Sequence, residues 1–184
     1  MSHRPRLTLM RSLSSFVLGA TAAVLAFAAT PARADVLKVG DRLAELDIAK
    51  DAADKSFKLK PYKGKWLLVT VGAEWCKPCA KELPTWDKLA GELKDKVVFV
   101  AIGIDDDPAA AKRFHKKLKL KNMKLVYMPA DKSGVVASYG SDTMPTTFIA
   151  DKQGVVRVVK KGFEEGDQGG ELKKMRAQLE KLVK

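Results

Sequence analysis

The feature that most constrains the fold is an apolar segment followed at once by two cysteines and an amphipathic helix. Residues 66–72 form a nearly continuous apolar run, which is typical of a strand covered on both faces. Cys76 and Cys79 come next, and from there to about residue 94 leucine and tryptophan recur every three or four positions. That spacing predicts a helix with one buried face. The order of strand, turn and helix therefore predicts a βα unit whose cysteines open the helix.

The remainder of the chain continues the alternation of strands and helices. Strands are predicted at about 56–60, 97–104, 125–128, 145–150 and 155–161, and helices at about 108–120, 134–139 and 170–183. The strands at 145–150 and 155–161 flank Asp-Lys-Gln-Gly, which is typical of a β-hairpin. This pattern predicts an α/β three-layer sandwich with a mixed central sheet.

The first 34 residues have the composition of a secretory signal peptide. Three arginines without an acid precede a charge-free stretch at 12–31, and small side chains at Ala32 and Ala34 suit a signal peptidase. We predict cleavage after Ala34 and one domain over residues 35–184, located in the periplasm. The alternative is that the leader is retained as a membrane anchor.

The chain is basic, with a formal charge of +12 that falls to +8 without the four arginines of the leader. Residues 112–124 hold seven lysines and arginines and no acid. Apolar Ala111, Phe114 and Leu118 recur there at helical spacing, so the cations form the solvated face of a helix. The alternative is attraction to anionic lipid or to an acidic partner. No nucleic-acid partner is expected for an exported protein.

Cys76 and Cys79 are the only cysteines in the chain. A disulfide across two residues closes almost no loop, so it contributes little to stability, and the pair is better interpreted as redox-active. The start of a helix favours an anion, which makes Cys76 the more readily ionised thiol, and Lys77 adds a positive charge. The hypothesis is that Cys76 attacks a substrate disulfide and Cys79 resolves the mixed disulfide.

Metal binding is the competing interpretation, because Cys-x-x-Cys also begins many zinc sites. Such a site needs further ligands, and the only histidines are His3 in the leader and His115 in the basic segment. We therefore expect no metal and no cofactor beyond the redox-active disulfide. His115 is interpreted as an ordinary surface residue.

On these motifs the chain resembles the thioredoxin superfamily, and within it the TlpA-like and ResA-like branch of exported thiol-disulfide oxidoreductases. The resemblance covers residues 36–184. It rests on five segments, at 37–41, 63–65, 73–79, 82–84 and 144–149. It implies a thioredoxin-like sandwich with a central βα insertion at about 104–125, and a periplasmic enzyme that reduces disulfides of exported client proteins.

The resemblance also implies roles for particular residues. Pro145 matches the family's cis-proline beside the dithiol, and the backbone of Met144 would pair with an extended client segment. Glu82 matches an acid near the dithiol and would accept or relay the proton of Cys79. The alternative for Glu82 is an exposed glutamate in the first turns of the helix. Thr70 stands where cytosolic thioredoxins carry a buried aspartate, so any relay must use Glu82 or water.

Trp75, Lys77 and Pro78 are expected to receive the client together with Met144 and Pro145. The clients that the resemblance suggests are apocytochrome c and copper-site maturation proteins. A membrane thiol-reducing electron carrier of the DsbD or CcdA type would recharge the dithiol, and a monomer is expected.

Two alternative functions remain open. A disulfide-forming oxidant would favour a histidine inside the motif, and Lys77-Pro78 argues against it. A non-enzymatic copper-binding module would use the dithiol as soft ligands, but such relatives normally add a distant histidine and wider cysteine spacing.

Overall fold

The computed structural model describes residues 35–129 and 134–184, so the predicted leader lies outside the described residues. Six strands form one sheet, in the order β1-β4-β3-β2-β5-β6. The strands are β1 (Lys50–Asp51), β2 (Trp66–Gly72), β3 (Val97–Gly103), β4 (Lys124–Tyr127), β5 (Thr146–Ala150) and β6 (Val156–Lys161). The helices are α1 (Lys77–Leu93), α2 (Pro108–Lys117), α3 (Gly134–Ser138) and α4 (Gln168–Leu182).

The sheet is mixed, as the sequence predicts. Strands β2, β3 and β4 run parallel to one another, whereas β5 pairs antiparallel with both β2 and β6. The short β1 is an outermost strand and pairs antiparallel with β4. The α/β thioredoxin-like architecture is confirmed, with α2 and β4 occupying the central segment assigned to the insertion.

Both faces of the central strands are buried, which explains why β2 is apolar throughout. On one face Leu68 packs with Trp86 of α1 and Leu179 of α4. On the other face Val69 packs with Leu46 and with Tyr139, which directly follows α3. The central sheet is thus covered on both faces. Its loops project at two opposite edges, one where the parallel strands begin and the other where they end.

Two predicted elements differ from the structure. Residues 56–60 form no strand and make only an isolated bridge between Ser56 and Lys50. The carboxylate of Glu45 accepts the N–H groups of Leu59 and Lys60, at 2.5 and 3.0 Å, in place of a neighbouring strand. Helix α2 ends at Lys117 rather than near residue 120, because Lys119 adopts a left-handed conformation with φ of +56°.

The interpretation of His115 as a surface residue is wrong. Its side chain is only 1% exposed, and its ring lies 5.3 Å from the ring of Tyr127. The basic residues around it on α2 are outside, but position 115 is on the same inward face as Ala111 and Phe114.

Among the described residues, no helix has both the length and the apolar character needed to cross a bilayer.

Candidate active site

The two cysteines lie at the edge of the sheet where β2 ends and α1 begins, and a disulfide joins them with an S–S distance of 1.99 Å. Cys76 is the N-cap of α1, and its sulfur accepts the N–H of Cys79 at 3.3 Å. Cys76 is 5% exposed whereas Cys79 is fully buried. Only Cys76 can therefore meet the sulfur of another protein.

The position of Cys76 favours its thiolate once the disulfide is reduced. The unpaired N–H groups of the first helical turn and the helix dipole point toward an N-cap side chain. Lys77 and Pro78 open the helix, so this turn also carries a cation. Proline at this place is compatible with the helix because the N–H that it lacks would have no partner within the helix.

Gly72 lets α1 pack directly over the end of β2. A β-carbon at this position would lie 3.2 Å from Cβ of Cys79 and 3.3 Å from its sulfur. Those distances are too short for a comfortable fit, so a larger residue would push against the buried cysteine. The last residue of the apolar strand is therefore fixed by the dithiol above it.

The predicted client-contact residues lie at the same edge of the sheet. The Met144–Pro145 peptide bond is cis, as the family resemblance implies. Pro145 directly precedes β5, whose first residue, Thr146, is paired with Val71 of β2. The carbonyl of Pro145 is held by the N–H of Gly162 at 2.8 Å.

Trp75 presents the largest apolar surface beside the dithiol. Its side chain is 69% exposed, directly before Cys76. Lys77 is exposed, Pro78 and Met144 are half-buried, and Pro145 is buried. The backbone of Met144 is extended, with φ of −65° and ψ of 147°. This geometry allows an extended peptide to lie across the edge beside the sulfur of Cys76.

Glu82 is buried rather than exposed, and it is the centre of a polar network beneath the dithiol. Only 1% of its side chain is exposed. Its Oε2 lies 2.7 Å from Oγ1 of Thr70, and its Oε1 lies 2.8 Å from Oγ1 of Thr147. The two hydroxyl oxygens are 3.0 Å apart, and Nε1 of Trp86 donates to Thr147 at 3.3 Å.

The number of protons in this network depends on the charge of Glu82. The carboxyl group and the two hydroxyls make three oxygen-to-oxygen contacts in a closed ring. An ionised Glu82 leaves two hydroxyl protons for the three contacts, whereas a neutral Glu82 supplies the third. When Glu82 is protonated, all three contacts among Thr70, Thr147 and Glu82 can therefore be hydrogen bonds.

Burial is also the main influence on the pKa of Glu82. Desolvation raises the pKa above its ordinary value of 4.5, and hydrogen bonds from Thr70, Thr147 and Trp86, together with the charge of Lys160, oppose that rise in part. Glu82 lies three residues after Cys79, so both side chains are on one side of α1. A buried acid with a raised pKa beside a buried thiol is suited to proton exchange.

Asp105 orders the turn that carries the dithiol. Its two carboxylate oxygens accept the N–H of Glu74 at 3.0 and 3.2 Å. Burial raises the pKa of Asp105, and the nearby charges of Glu74 and Asp106 add to the rise. The side chain thus connects the end of β3 to the segment that precedes Cys76.

Sequence reasoning missed several of these supporting residues. Asp105 belongs to a run of three aspartates, of which Asp107 is the one that caps α2, by accepting the N–H of Ala109. Thr147 carried no signal beyond its place in a strand. Alternation along β5 places it on the face that α1 covers, and this is the clue that the sequence offered.

Comparison with known proteins gives consistent results. The AhpC/TSA family model matches residues 39–159. The thiol-disulfide oxidoreductase ResA of Bacillus thuringiensis subsp. konkukian is 35% identical over 123 residues, which are 66% of this chain and 69% of that protein.

Two solved structures share the fold. The thioredoxin domain of a thiol-disulfide oxidoreductase from Bacteroides vulgatus has a TM-score of 0.65 at 23% identity, covering 80% of this chain and 99% of that one. The exposed lipoprotein thioredoxin of Streptococcus pneumoniae has a TM-score of 0.57 at 28% identity, covering 71% and 99%. The similarity extends over most of the described residues.

Proposed function

Because the chain belongs to the AhpC/TSA family of thioredoxin-like proteins and is a thiol-disulfide oxidoreductase of the ResA type, we propose that it is a periplasmic reductase of disulfides in exported client proteins. The observation that carries this proposal is the asymmetry of the dithiol. Cys76 is reachable at a helix start, and Cys79 is buried one turn from a buried acid. Each cysteine is thereby suited to a different step.

In the first step the thiolate of Cys76 attacks one sulfur of a client disulfide. A bond forms between Cys76 and that sulfur, the client S–S bond breaks, and the other client sulfur leaves as a thiolate that takes a proton from solvent. The N–H groups at the start of α1 stabilise the Cys76 thiolate before the attack. Burial of Cys79 ensures that the client meets Cys76 first.

In the second step Cys79 attacks the sulfur of Cys76. The Cys76–Cys79 disulfide forms, the mixed disulfide breaks, and the second client sulfur leaves as a thiolate. Cys79 must lose its proton to attack, and Glu82 in its ionised form accepts that proton in the buried network. Two electrons pass from the dithiol to the client, which leaves with two thiols.

The client is held by backbone pairing and by the aromatic surface beside the dithiol. The extended backbone of Met144 before the cis-proline pairs with a client segment, as in β-strand addition. Trp75 covers the apolar side chains of that segment, and Lys77 and Pro78 flank the reacting sulfur. The reaction needs no cofactor other than the dithiol itself.

Export and the partners follow from the leader and from the chemistry. Residues 1–34 have the composition of a signal peptide, which supports a periplasmic location. The proposed clients are apocytochrome c or copper-site maturation proteins. A membrane thiol-reducing carrier of the DsbD or CcdA type returns the oxidised protein to the dithiol form. Each chain contains both cysteines, so the proposed reaction needs only one copy of the protein, in keeping with the expected monomer.

The reduction potential of the Cys76–Cys79 pair tests the direction of electron flow. The full chain is equilibrated with dithiothreitol or glutathione buffers, and the reduced fraction is counted by thiol alkylation. A potential near about −270 mV, the thioredoxin value, or lower supports a reductase. A potential near about −120 mV, the strongly oxidising end, contradicts the proposal and identifies a disulfide donor.

A further inference from the structure

The edge of the sheet opposite the dithiol carries a dense row of lysines. Strands β2, β3 and β4 are parallel and begin at this edge, and the turn between β5 and β6 lies here too, because β5 runs antiparallel to β2. The segments at this edge are 60–65, 94–96, 117–124 and 151–155, which we call the basic edge. They contain ten lysines, and all ten are exposed.

The acids within these segments compensate little of this charge, and the neighbouring Glu45 is held by the N–H groups of Leu59 and Lys60. Asp151 is buried, where it pairs with Arg157 and accepts the N–H groups of Gln153 and Val155. Asp95 is exposed between two of the lysines. Within the described parts of the chain, none of the ten lysines forms an ion pair with a carboxylate. The edge therefore presents a strongly positive surface.

The lysines of the basic edge are held on ordered backbone rather than on a loose tail. The buried carboxylate of Asp87 accepts the N–H groups of Lys121, Asn122 and Met123, at 2.9, 2.8 and 3.2 Å. The N–H of Gly64 donates to the carbonyl of Lys152 at 2.9 Å, which joins two of the segments. The row of cations thus has a fixed form before any partner arrives.

We propose that the basic edge binds the surface of an anionic lipid bilayer. The ten cations of these segments are all lysines, which act as point charges rather than as the planar, bidentate donors that arginine provides for nucleic acid. The neighbouring Arg42 is engaged with the protein itself, since it donates to the carbonyl of Gln153. They are spread along the ends of several neighbouring strands, so they match a broad sheet of negative headgroups better than one acidic peptide. Large exposed apolar side chains in the described residues are Val39, Ile48 and Trp75, all outside the basic edge.

Docking through the basic edge would determine which way the dithiol faces relative to the bilayer. Strand β2 runs from the basic edge to the turn that bears Cys76, and its seven residues span about 20 Å. When the basic edge contacts the bilayer, Cys76 and the exposed Trp75 face away from it. The protein is then held at the membrane surface while its reactive sulfur faces soluble clients, so a membrane carrier reaches the dithiol only through a part that projects beyond the length of β2 from the bilayer. Bilayer binding does not depend on the direction of electron flow, so failure of either proposal leaves the other intact.

Vesicle binding of the full chain tests the proposal. Vesicles of phosphatidylcholine alone are compared with vesicles of equal parts phosphatidylcholine and phosphatidylglycerol, by flotation at low and high salt. We expect partitioning onto the anionic vesicles that weakens as salt is added. Equal partitioning onto both vesicle types would overturn the proposal, because the apolar leader alone would explain it.

Two variants with equal loss of charge locate the contact. Replacing four lysines of the basic edge with glutamine (Lys117→Gln, Lys119→Gln, Lys121→Gln and Lys124→Gln) should reduce partitioning onto anionic vesicles by at least about tenfold. The matched control removes four exposed lysines elsewhere (Lys38→Gln, Lys88→Gln, Lys161→Gln and Lys173→Gln) and should retain most of the binding. Equal losses in both variants would show a general charge effect and overturn the assignment to this edge.

Competition with an acidic polymer tests the alternative that the basic edge binds an acidic protein chain instead of a bilayer. If polyglutamate at equal charge concentration removes the protein from anionic vesicles, the basic edge prefers an acidic chain, and the bilayer proposal is wrong. If the protein stays on the vesicles, the bilayer is the better partner.

The orientation is tested through Trp75. Acrylamide, a neutral quencher, should reduce the fluorescence of this exposed side chain equally in free and vesicle-bound protein, and Trp75→Phe should remove the most accessible component, since Trp66 is half-buried and Trp86 is fully buried. Protection of Trp75 on the vesicles would place the dithiol on the bilayer and contradict the proposed orientation.

Discussion

Glu82 and His115 are both buried titratable side chains on the inner faces of helices, and their surroundings are opposite. Each is 1% exposed. Glu82 on α1 has hydroxyl partners on both of its oxygens, supplied by Thr70 and Thr147. In contrast, neither ring nitrogen of His115 on α2 has a hydrogen-bond partner among the described residues. Its neighbours are the rings of Phe114 and Tyr127.

Comparing Glu82 with His115 shows that burial of a titratable side chain does not by itself indicate a function. Desolvation raises the pKa of the Glu82 acid and lowers that of the His115 base to about 4, so burial favours the neutral form of both. Only Glu82 has polar partners through which a proton can be exchanged, and only Glu82 is one turn from a reactive cysteine. His115 instead fills space above Gly103, where a β-carbon would lie 3.4 Å from the imidazole Cε1. In this protein a shifted pKa therefore indicates a role in the reaction only where the group also has polar partners for proton exchange.

The replacement Glu82→Gln tests the functional half of this comparison and should have the largest effect. Glutamine reproduces the neutral acid, because its amide can donate to Thr147 and accept from Thr70, but it cannot take a proton from Cys79. We expect release of the client from the mixed disulfide to slow by about 100-fold or more, within the usual range for loss of a general base. Stopped-flow decay of the mixed disulfide measures this step.

The stability of the same variant provides the control. The raised pKa of Glu82 means that the folded protein binds an extra proton above the ordinary carboxyl pKa of 4.5, so unfolding free energy should fall as pH rises from there toward the folded pKa. Glu82→Gln should lack this decline while remaining folded. An unchanged mixed-disulfide decay in a folded Glu82→Gln protein would assign Glu82 to structure alone.

The replacement His115→Leu tests the structural half. The unfolded protein binds a proton on His115 below pH 6.5, whereas the folded protein does so only near pH 4. Stability should therefore fall as pH drops through this window, by on the order of 3 kcal/mol at its lower end. His115→Leu should abolish that loss and leave disulfide exchange unchanged. Urea unfolding between pH 4 and pH 7 measures the slope in both proteins.

A persistent acid slope in His115→Leu would mean that another group titrates in that range. If the variant also lost its exchange activity, the contrast between His115 and Glu82 would fail, because the histidine would then contribute to the reaction.

The sequence predicted the fold and the reactive cysteines, but only part of the surroundings of the site. The strands near residues 66–72 and 97–103 are apolar enough to be read directly, and the dithiol motif identifies the helix that follows. The network of Glu82 could not be foreseen, because it depends on β5 pairing with β2 and so placing Thr147 beside Thr70. Pairing between residues 77 positions apart leaves no local pattern.

His115 shows the complementary failure. The seven lysines and arginines in residues 112–124 predict a solvated helix face, and the same prediction would include the histidine. Its place one turn after Ala111 put it on the inward face instead. Helical position, rather than the polarity of neighbouring residues, decided its burial.

The replacement Thr147→Val connects the network to stability and should have the smallest effect. Valine keeps the shape of threonine but removes the hydroxyl, which leaves Oε1 of Glu82 and Nε1 of Trp86 without this partner. We expect a loss of about 1 to 2 kcal/mol in unfolding free energy, and a further rise in the pKa of Glu82 because a bond that lowers it is lost. Thr147→Ser retains the hydroxyl and should restore most of the stability. If valine and serine behave alike, the packing at Thr147 matters rather than its hydrogen bonds. The contrast with His115, whose ring nitrogens have no hydrogen-bond partner in the described part of the chain, would then rest on Thr70 alone.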